Sequence, residues 1–331
     1  MSEINKMLGQ LFLIGFKGEE PSKEFLNFIS EENIGGVILF ADNCKSAKSL
    51  KKTIKQIKEA TTSYPFIAID QEGGRVCRIQ GKPAQILSAA EYGEKYNVEK
   101  YSEDYNRSLI YMDSLGINLN LAPVCDLFLK ENNTCLKDRC FGSDIQKVVP
   151  FITESIKCAK RNNFLSCLKH FPGLGDTEID PHVKTAEGSY DQYIWSQREK
   201  LVFEAGIKAG SDMLMTTHLL LPKFSDTIVT GSFDIINKLI RKDLAFDSVV
   251  ITDDLTMKGA DILGDFGERT VKAFQAGHDI LLFGQNLDAS IEAYEYFRSA
   301  VDKGEITQNQ IEISLERITG LKFKIAQSVF T

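Results

Sequence analysis

A (β/α)8 barrel is the fold class that the sequence predicts, because short apolar segments alternate with helix-like segments along the whole chain. Eight of these segments have the length and composition of buried strands. A doubly wound sheet rarely needs so many units, whereas the barrel needs all eight and typically about 250 residues. The chain has 331 residues, which is enough for one such domain.

The predicted strands are runs rich in Val, Ile, Leu and Phe, bounded by Gly, Pro or charged residues. In chain order they cover residues 8–16, 35–40, 65–70, 117–124, 164–168, 212–218, 248–254 and 278–284. The third ends on Asp70, the sixth on His218, and the seventh on the neighbouring carboxylates Asp253 and Asp254. Because the C-terminal ends of all strands meet at one face of a barrel, we expect an active site there.

Helices with one apolar face are predicted between the strands and after the last strand. They cover residues 21–32, 47–61, 103–115, 145–162, 193–209, 233–244, 268–276 and 306–326. Ser232 is the expected N-cap of the sixth helix. The last helix is expected to pack outside the barrel as a C-terminal tail. No linker or low-complexity tract divides the chain, so we predict a single domain over residues 1–331.

Charge and hydropathy exclude several classes of protein. The net charge of −7 argues against a surface for nucleic acid or anionic membranes, which requires clustered Lys and Arg. No apolar stretch approaches the roughly 20 residues of a membrane span, and the N-terminal residues lack a signal sequence. The seven cysteines are odd in number and lack CxxC spacing, which indicates reduced thiols. We therefore expect a soluble, unsecreted protein of a reducing compartment such as the cytoplasm, whose ligands are neutral or cationic. We also expect a monomer or a weak homo-oligomer.

Residues 169–182 contain the densest group of reactive side chains. The strand predicted at 164–168 leads into Lys169 and His170, and a turn with proline and glycine follows. Asp180 lies two residues before His182, close enough to orient its imidazole and to stabilise the protonated ring. This makes His182 a candidate general acid/base. A lone histidine is more often structural, and His278, at the start of its strand, fits that interpretation.

A carboxylate at the end of the seventh strand is costly unless it is paired or used in chemistry. Pairing is one interpretation of Asp253 and Asp254. The other is a nucleophile that attacks a sugar carbon, with His182 transferring a proton across the scissile bond. Charged side chains would then bind the sugar hydroxyls. These candidates are Asp70, Arg75, Arg78, Arg139, Lys169 and His170.

Four segments, in their order and spacing, resemble those of the family 3 glycoside hydrolases. They are IDQEGGRV at 69–76 followed by Arg78, LAPVCD at 121–126, KHFPG at 169–173 and ITDDLTM at 251–257. They extend over nearly the whole chain. The Asp-x-His pattern at 180–182 is similar to that of the β-N-acetylglucosaminidases of this family.

The resemblance implies a role for each matching residue. Asp253 would be the nucleophile, His182 the acid/base and Asp180 its partner. Asp254 would be a packing acid without direct contact to the substrate. The sugar subsite would be formed by Asp70, Arg78, Arg139, Lys169 and His170. The implied reaction is retaining hydrolysis of terminal β-linked N-acetylglucosamine, with muropeptide fragments of cell-wall turnover as substrates. We expect no cofactor and no metal, because the candidate His and Asp residues lack a third ligand at fixed spacing.

Two positions depart from the family pattern. Pro181 stands where the resemblance leads one to expect Ser or Thr, and Leu174 stands where His is frequent. Because proline fixes its own φ and favours an extended conformation in the preceding residue, Pro181 changes the geometry open to Asp180.

Several alternatives remain open at the level of sequence. A phosphorylase is one, because a neutral histidine acid/base does not repel phosphate as a carboxylate would. A β-glucosidase would use the same scaffold on another sugar. A non-catalytic sugar-binding barrel would need neither Asp253 nor His182. A metal-dependent hydrolase of a non-sugar substrate is the most distant alternative, since this barrel supports many chemistries.

Overall fold

The computed structural model describes residues 4–178 and 184–327, and its core is a barrel of eight parallel strands. The strands are β1 (Phe12–Gly15), β2 (Gly36–Leu39), β3 (Phe66–Ile69), β4 (Leu119–Asn120), β5 (Leu165–Phe171), β6 (Met213–Thr216), β7 (Val249–Ile251) and β8 (Leu281–Phe283). Each strand from β1 to β6 pairs with the next one along the chain. β8 pairs with β1, and a bridge between Ile251 and Ile280 joins it to β7. The barrel is therefore closed, and the predicted fold class is confirmed.

Helices surround the barrel strands in the order that the sequence predicted. They are α1 (Lys23–Glu31), α2 (Ala47–Ala60), α3 (Ala89–Lys95), α4 (Val98–Leu115), α5 (Ile145–Arg161), α6 (Gln192–Gln197), α7 (Glu199–Ala209), α8 (Phe266–Ala276), α9 (Leu287–Asp302) and α10 (Gln308–Gln327). The connection between β6 and β7 carries a π-helix, Ile235–Asp243. The Ser232 hydroxyl accepts a hydrogen bond from the Ile235 amide at 3.3 Å, in keeping with a cap at this end. Within the described residues, every helix is too short or too polar to cross a bilayer.

Two helices were missed by the sequence prediction, and one predicted helix is broken. α3 is a short helix that begins with a capping box formed by Ser88 and Glu91. α9 follows β8 and completes the eighth strand-helix unit, so α10 is an additional element. The predicted helix 193–209 is divided at Arg198, whose φ and ψ of −130° and −90° are not helical.

The C-terminal helix α10 packs against residues that precede three of the strands. Lys322 donates to the carbonyl oxygen of Gly35, just before β2, at 2.7 Å. Lys324 pairs with Asp212, just before β6. Arg317 donates to Asp279, just before β8, at 3.1 Å. α10 therefore covers the N-terminal end of the barrel, opposite the expected site.

Lys322 is buried at this end, and no carboxylate forms an ion pair with it in the described part of the chain. Burial lowers the pKa of its amine from the ordinary 10.5 to about 7. Between these values the unfolded chain holds a proton that the native state has lost, so raising the pH favours the native state. We expect the free energy of unfolding of the wild type, relative to Lys322→Met, to rise by up to about 1.4 kcal/mol per pH unit above pH 7. Urea unfolding from pH 6 to pH 10 measures this difference, and a constant difference would contradict the prediction.

Candidate active site

A polar pocket lies at the C-terminal ends of the strands, and its cavity measures about 230 Å³. Its polar lining consists of Asp70, Glu72, Arg75, Arg78, Arg139, Lys169, His170, Asp253 and Asp254. Its apolar lining consists of Ile38, Phe40, Val76, Leu121, Cys135, Met215, Met257 and Leu282. The five predicted sugar-binding residues and the predicted nucleophile therefore lie around one cavity.

Most of the charged side chains of the pocket lie in three segments that follow strands of the barrel. Asp70 directly follows β3, Asp253 lies two residues after β7, and Arg139 lies in the long loop between β4 and α5. Lys169 and His170 belong to the end of β5 itself, where the peptide bond between them is cis. Parallel strands bring these positions together, although they are far apart in the sequence.

A short hairpin after β3 folds back over the mouth of the barrel. Its strands are Gln71–Gly73 and Val76–Cys77, which pair in antiparallel fashion. Gly73, which ends the first strand, and Gly74, in the turn, have φ values of +110° and +53°, a region that L side chains rarely adopt. The hairpin therefore explains the paired glycines of this motif, and it brings Glu72 to the same cavity as Asp70.

Two carboxylates and three cations form one ionic cluster in the pocket. Lys169 Nζ lies 2.7 Å from Asp70 Oδ1 and 2.6 Å from Glu72 Oε1. Arg78 Nη2 lies 3.2 Å from the other oxygen of Asp70. Arg139 binds Glu72 in a bidentate manner, with both bonds at 2.8 Å. Lys169 is almost closed to solvent, with 3% of its side chain exposed, whereas 14% of Asp70 and 27% of Arg78 remain exposed.

These contacts determine the charges that the pocket presents. Burial by itself would raise the pKa of Asp70, but the charges of Lys169 and Arg78 outweigh it and hold the pKa below its usual value. Burial would likewise raise the pKa of Glu72, but the charges of Arg139 and Lys169 lower it. Burial would lower the pKa of Lys169, and the two carboxylates raise it instead. All of these groups are therefore charged at neutral pH.

His170 is held between an acid and a base. Its Nδ1 lies 2.6 Å from Asp126 Oδ2, and its Nε2 lies 3.2 Å from Arg139 Nη2. A guanidinium group can only donate, so Nε2 accepts and Nδ1 carries the proton that binds Asp126. Asp126 also accepts from the amides of His170 and Leu174, at 3.2 and 2.7 Å. Asp126 therefore fixes both the tautomer of His170 and the start of the following loop.

Asp253 and Asp254 are neighbours with different surroundings. Asp254 Oδ1 accepts from the amides of Thr256 and Gly284 at 2.8 and 2.9 Å, which ties β7 to β8. Burial raises its pKa. Asp253 Oδ1 accepts from the amide of Asp254 at 2.8 Å, and no cation forms an ion pair with it among residues 4–178 and 184–327. Asp254 is thus bound to the backbone of two segments, whereas the second carboxylate oxygen of Asp253 has no hydrogen-bond partner among the described residues.

His218 and His278 have structural roles in the barrel. His218 Nδ1 and Nε2 lie 2.7 Å from Thr230 Oγ1 and 2.9 Å from the carbonyl oxygen of Asp254. His278 bonds to Thr216 Oγ1 and to the Ala273 carbonyl, both at 2.8 Å. Burial lowers the pKa of His278 to about 4, so this ring is neutral at pH 7. The structural interpretation of His278 is in agreement with these contacts.

The predicted dyad, Asp180 and His182, lies outside the described residues. The residues before it are anchored, because Pro172 accepts a bond from Trp195 Nε1 at 3.2 Å and Gly173 accepts one from the Tyr190 hydroxyl at 2.9 Å. Leu174, the position where His is frequent in the family, is buried with 2% of its surface exposed.

The sequence analysis did not assign Glu72 and Asp126 to the site, although both lie in the matched segments. Each is an acid that closely follows a strand C-terminus, which is the signal that could have identified them. Arg75 was predicted to bind sugar hydroxyls, and it lines the pocket. Its guanidinium also donates to the carbonyl oxygens of Thr134 and Cys135, at 2.8 and 2.7 Å, so it supports the loop that carries Arg139.

A closed (β/α)8 barrel with fixed acids and bases at its strand C-termini has the architecture of a barrel enzyme. Comparison with known proteins then identifies the family. Residues 3–321 match the model of the glycosyl hydrolase family 3 N-terminal domain. The chain belongs to this family.

Individual relatives agree with this placement. β-Hexosaminidase A of Pseudoalteromonas piscicida is 30% identical, and the alignment covers 98% of this chain and 62% of that protein. The β-hexosaminidase of Photobacterium profundum is 31% identical over 84% of this chain and 83% of its own length. The chain therefore spans less than two thirds of the first relative and most of the second.

Solved structures show the same fold. The family 3 β-N-acetylglucosaminidase from Paenibacillus sp. strain FPU-7 superposes with a TM-score of 0.95 at 28% identity, covering 98% of this chain and 63% of that one. The β-N-acetylhexosaminidase from Beutenbergia cavernae gives a TM-score of 0.88 at 25% identity, covering 97% of this chain and 99% of that one.

Proposed function

We propose that the chain is a retaining β-N-acetylhexosaminidase that removes terminal β-linked N-acetylglucosamine from glycans. The observation that carries this proposal is a pocket in which Asp253, without a cationic partner among the described residues, faces a fixed set of hydrogen-bonding charges. Membership of the family and about 30% identity to named β-hexosaminidases support both the reaction and the sugar.

Sugar binding is assigned to five polar residues that line the pocket. They are Asp70, Arg78, Arg139, Lys169 and His170. Ionised groups form hydrogen bonds to hydroxyls that are about twice as strong as those between neutral groups. Because these side chains already hold one another in place, they can bind the sugar with little reorganisation.

The reaction proposed is a double displacement. Asp253 attacks the anomeric carbon as the bond to the leaving oxygen breaks, and protonated His182 gives its proton to that oxygen. Neutral His182 then takes a proton from water, whose oxygen attacks the same carbon and releases Asp253. The two inversions retain the configuration. Asp180 orients His182 and stabilises its protonated form, a role that rests on the sequence pattern at 180–182.

The natural substrate that we propose is a muropeptide fragment from cell-wall turnover, processed in the cytoplasm. This rests on the resemblance to the family. We also propose that residues 1–331 act as one domain, as a monomer or a weak homo-oligomer, without metal or cofactor. Light scattering during gel filtration tests the state of assembly, and activity after prolonged chelation tests the metal.

Hydrolysis of 4-nitrophenyl N-acetyl-β-glucosaminide, compared with the matching β-glucoside, tests the proposed function. We expect release of nitrophenol from the N-acetyl substrate, retention of configuration in the first-formed sugar, and no change of product when phosphate is added. Preference for the β-glucoside would contradict the proposed sugar. Formation of a sugar 1-phosphate would identify a phosphorylase, and binding without cleavage would identify a sugar-binding barrel.

A further inference from the structure

Glu72 is a buried acid in the pocket to which the proposed mechanism gives no task. Only 6% of its side chain is exposed, and its side-chain hydrogen bonds and ion pairs within the described residues are all to cations. Its Oε2 accepts from Arg139 Nε at 2.8 Å. Its Oε1 accepts from Arg139 Nη2 at 2.8 Å and lies 2.6 Å from Lys169 Nζ. Both oxygens are therefore occupied by protein groups before any sugar binds.

One oxygen of Glu72, Oε1, contacts both Lys169 and Arg139 and offsets the repulsion between these two cations. Lys169 and Arg139 are like charges that both meet Oε1, and each lowers the stability of the other in a site closed to solvent. Asp70 neutralises Lys169 from the other side, at 2.7 Å, but it also faces Arg78. Among the residues that the structure describes, Arg139 has no other carboxylate within ion-pair distance. Glu72 is therefore the counterion that allows both cations to remain side by side.

The contacts of Arg139 extend this arrangement to His170. Arg139 Nη2 is shared between Glu72 and His170 Nε2, which lies 3.2 Å away. Its Nη1 donates to the Cys135 carbonyl at 3.2 Å. The plane of the guanidinium is thus determined by the bidentate pair with Glu72, and a displaced plane would take away the donor that His170 Nε2 receives.

We propose that Glu72 is a positioning residue that holds Lys169, Arg139 and His170 in one fixed arrangement for binding the hydroxyls of the substrate sugar. It acts through these three residues and makes no contact with the reacting atoms. The inference rests on the proposed function, since these three side chains are assigned there to sugar binding.

The main test is Glu72→Gln, which removes the charge and keeps the shape. The substrate is a 2,4-dinitrophenyl N-acetyl-β-glucosaminide, whose leaving group departs without protonation, so that kcat/KM does not depend on the acid/base residue. We expect kcat/KM to fall about 10²-fold, the cost of displacing positioned groups by about 1 Å.

The pH profile separates positioning from a general structural role. The charged groups that face Lys169 are Asp70, Glu72 and Arg139. Without the charge of Glu72, burial and Arg139 favour the neutral amine of Lys169 more strongly. We expect kcat/KM of the Gln variant to fall further from pH 8 to pH 10, relative to the wild type. Glu72→Asp keeps the charge and moves it, so it should lose rate without this added alkaline loss.

A double-mutant cycle with Arg139→Ala provides the second measurement. If Glu72 acts through Arg139, the double variant should lose clearly less than the product of the two single losses. Glu154→Gln is the matched control, because it breaks a 2.7 Å pair with Arg161 on the outer helix α5 and should keep the wild-type rate and pH profile.

Each outcome has a distinct meaning. A wild-type rate for Glu72→Gln, multiplicative losses in the cycle, or the same pH profile in all variants would overturn the inference. If thermal unfolding shows that the Gln variant does not fold, the kcat/KM of Glu72→Asp tests the inference in its place. A wild-type protein that fails to cleave the substrate would instead overturn the proposed function.

Discussion

Asp253→Asn is expected to lower kcat/KM for N-acetyl-β-glucosaminides by more than about 10⁴-fold, beyond the range of general acid–base catalysis. The amide is isosteric but is not nucleophilic, so the first displacement loses its attacking group. The structure adds that Asp253 has no ion pair with any described cation, which leaves its carboxylate available. Initial rates of the variant, measured at an enzyme concentration roughly several hundred-fold higher than in the wild-type assay, would quantify the loss.

Two further variants sharpen this prediction. Asp254→Asn removes the neighbouring acid, whose oxygen holds the amides of Thr256 and Gly284, and we expect lower stability with a much smaller loss of rate. Asp253→Ala with added azide should form the α-glycosyl azide, because azide enters the space of the missing carboxylate and attacks the same face. A normal rate for Asp253→Asn, or a larger loss for Asp254→Asn, would refute the assignment.

His182→Ala is expected to lose about 10²- to 10⁴-fold in kcat/KM on substrates with poor leaving groups, the usual contribution of a general acid. On a 2,4-dinitrophenyl glycoside the first step should be nearly normal, since that oxygen leaves without a proton. The second step should be slow, because the water has lost its base, and a glycosyl-enzyme should accumulate. Pre-steady-state release of dinitrophenol, with mass spectrometry of the trapped enzyme, measures both effects.

The pH dependence of the same variants gives an independent check. With a poor leaving group, the wild type should lose kcat/KM as pH rises and the acid loses its proton, whereas His182→Ala should lack this alkaline limb. Asp180→Asn should keep the limb but shift it to lower pH, because an amide stabilises the imidazolium less than a carboxylate does. An unchanged alkaline limb in His182→Ala would assign the acid to another residue.

The order of elements could be predicted from the sequence because the pattern is local. Apolar runs such as 249–251 have no polar face, which is typical of strands covered on both sides, and all eight predicted segments overlap a strand. The helix α9 was missed because its buried face is built from alanines, one serine and two aromatic residues, which give a weak apolar period. The bend at Arg198 was missed because no glycine or proline marks it.

The site could be predicted only in part. Asp70 and Asp253 stand at strand ends, and parallel strands bring all such ends to one face, so their common pocket follows from the chain order. The partners of each charge do not follow from it. That Asp126 holds His170, or that Arg75 binds the backbone of the loop carrying Arg139, depends on loops whose paths have no period in the sequence.

The sequence by itself therefore determined the barrel, the face on which the site lies and the residue types that line it, because these depend on patterns within single segments. Only the tertiary structure decided which charges neutralise one another. The ion pairs of Glu72 with Lys169 and Arg139 join residues 97 and 67 positions apart, and such pairs form only where the fold brings separate segments together. The fold thereby assembles charged side chains that are far apart in the sequence into one ordered set able to bind a sugar.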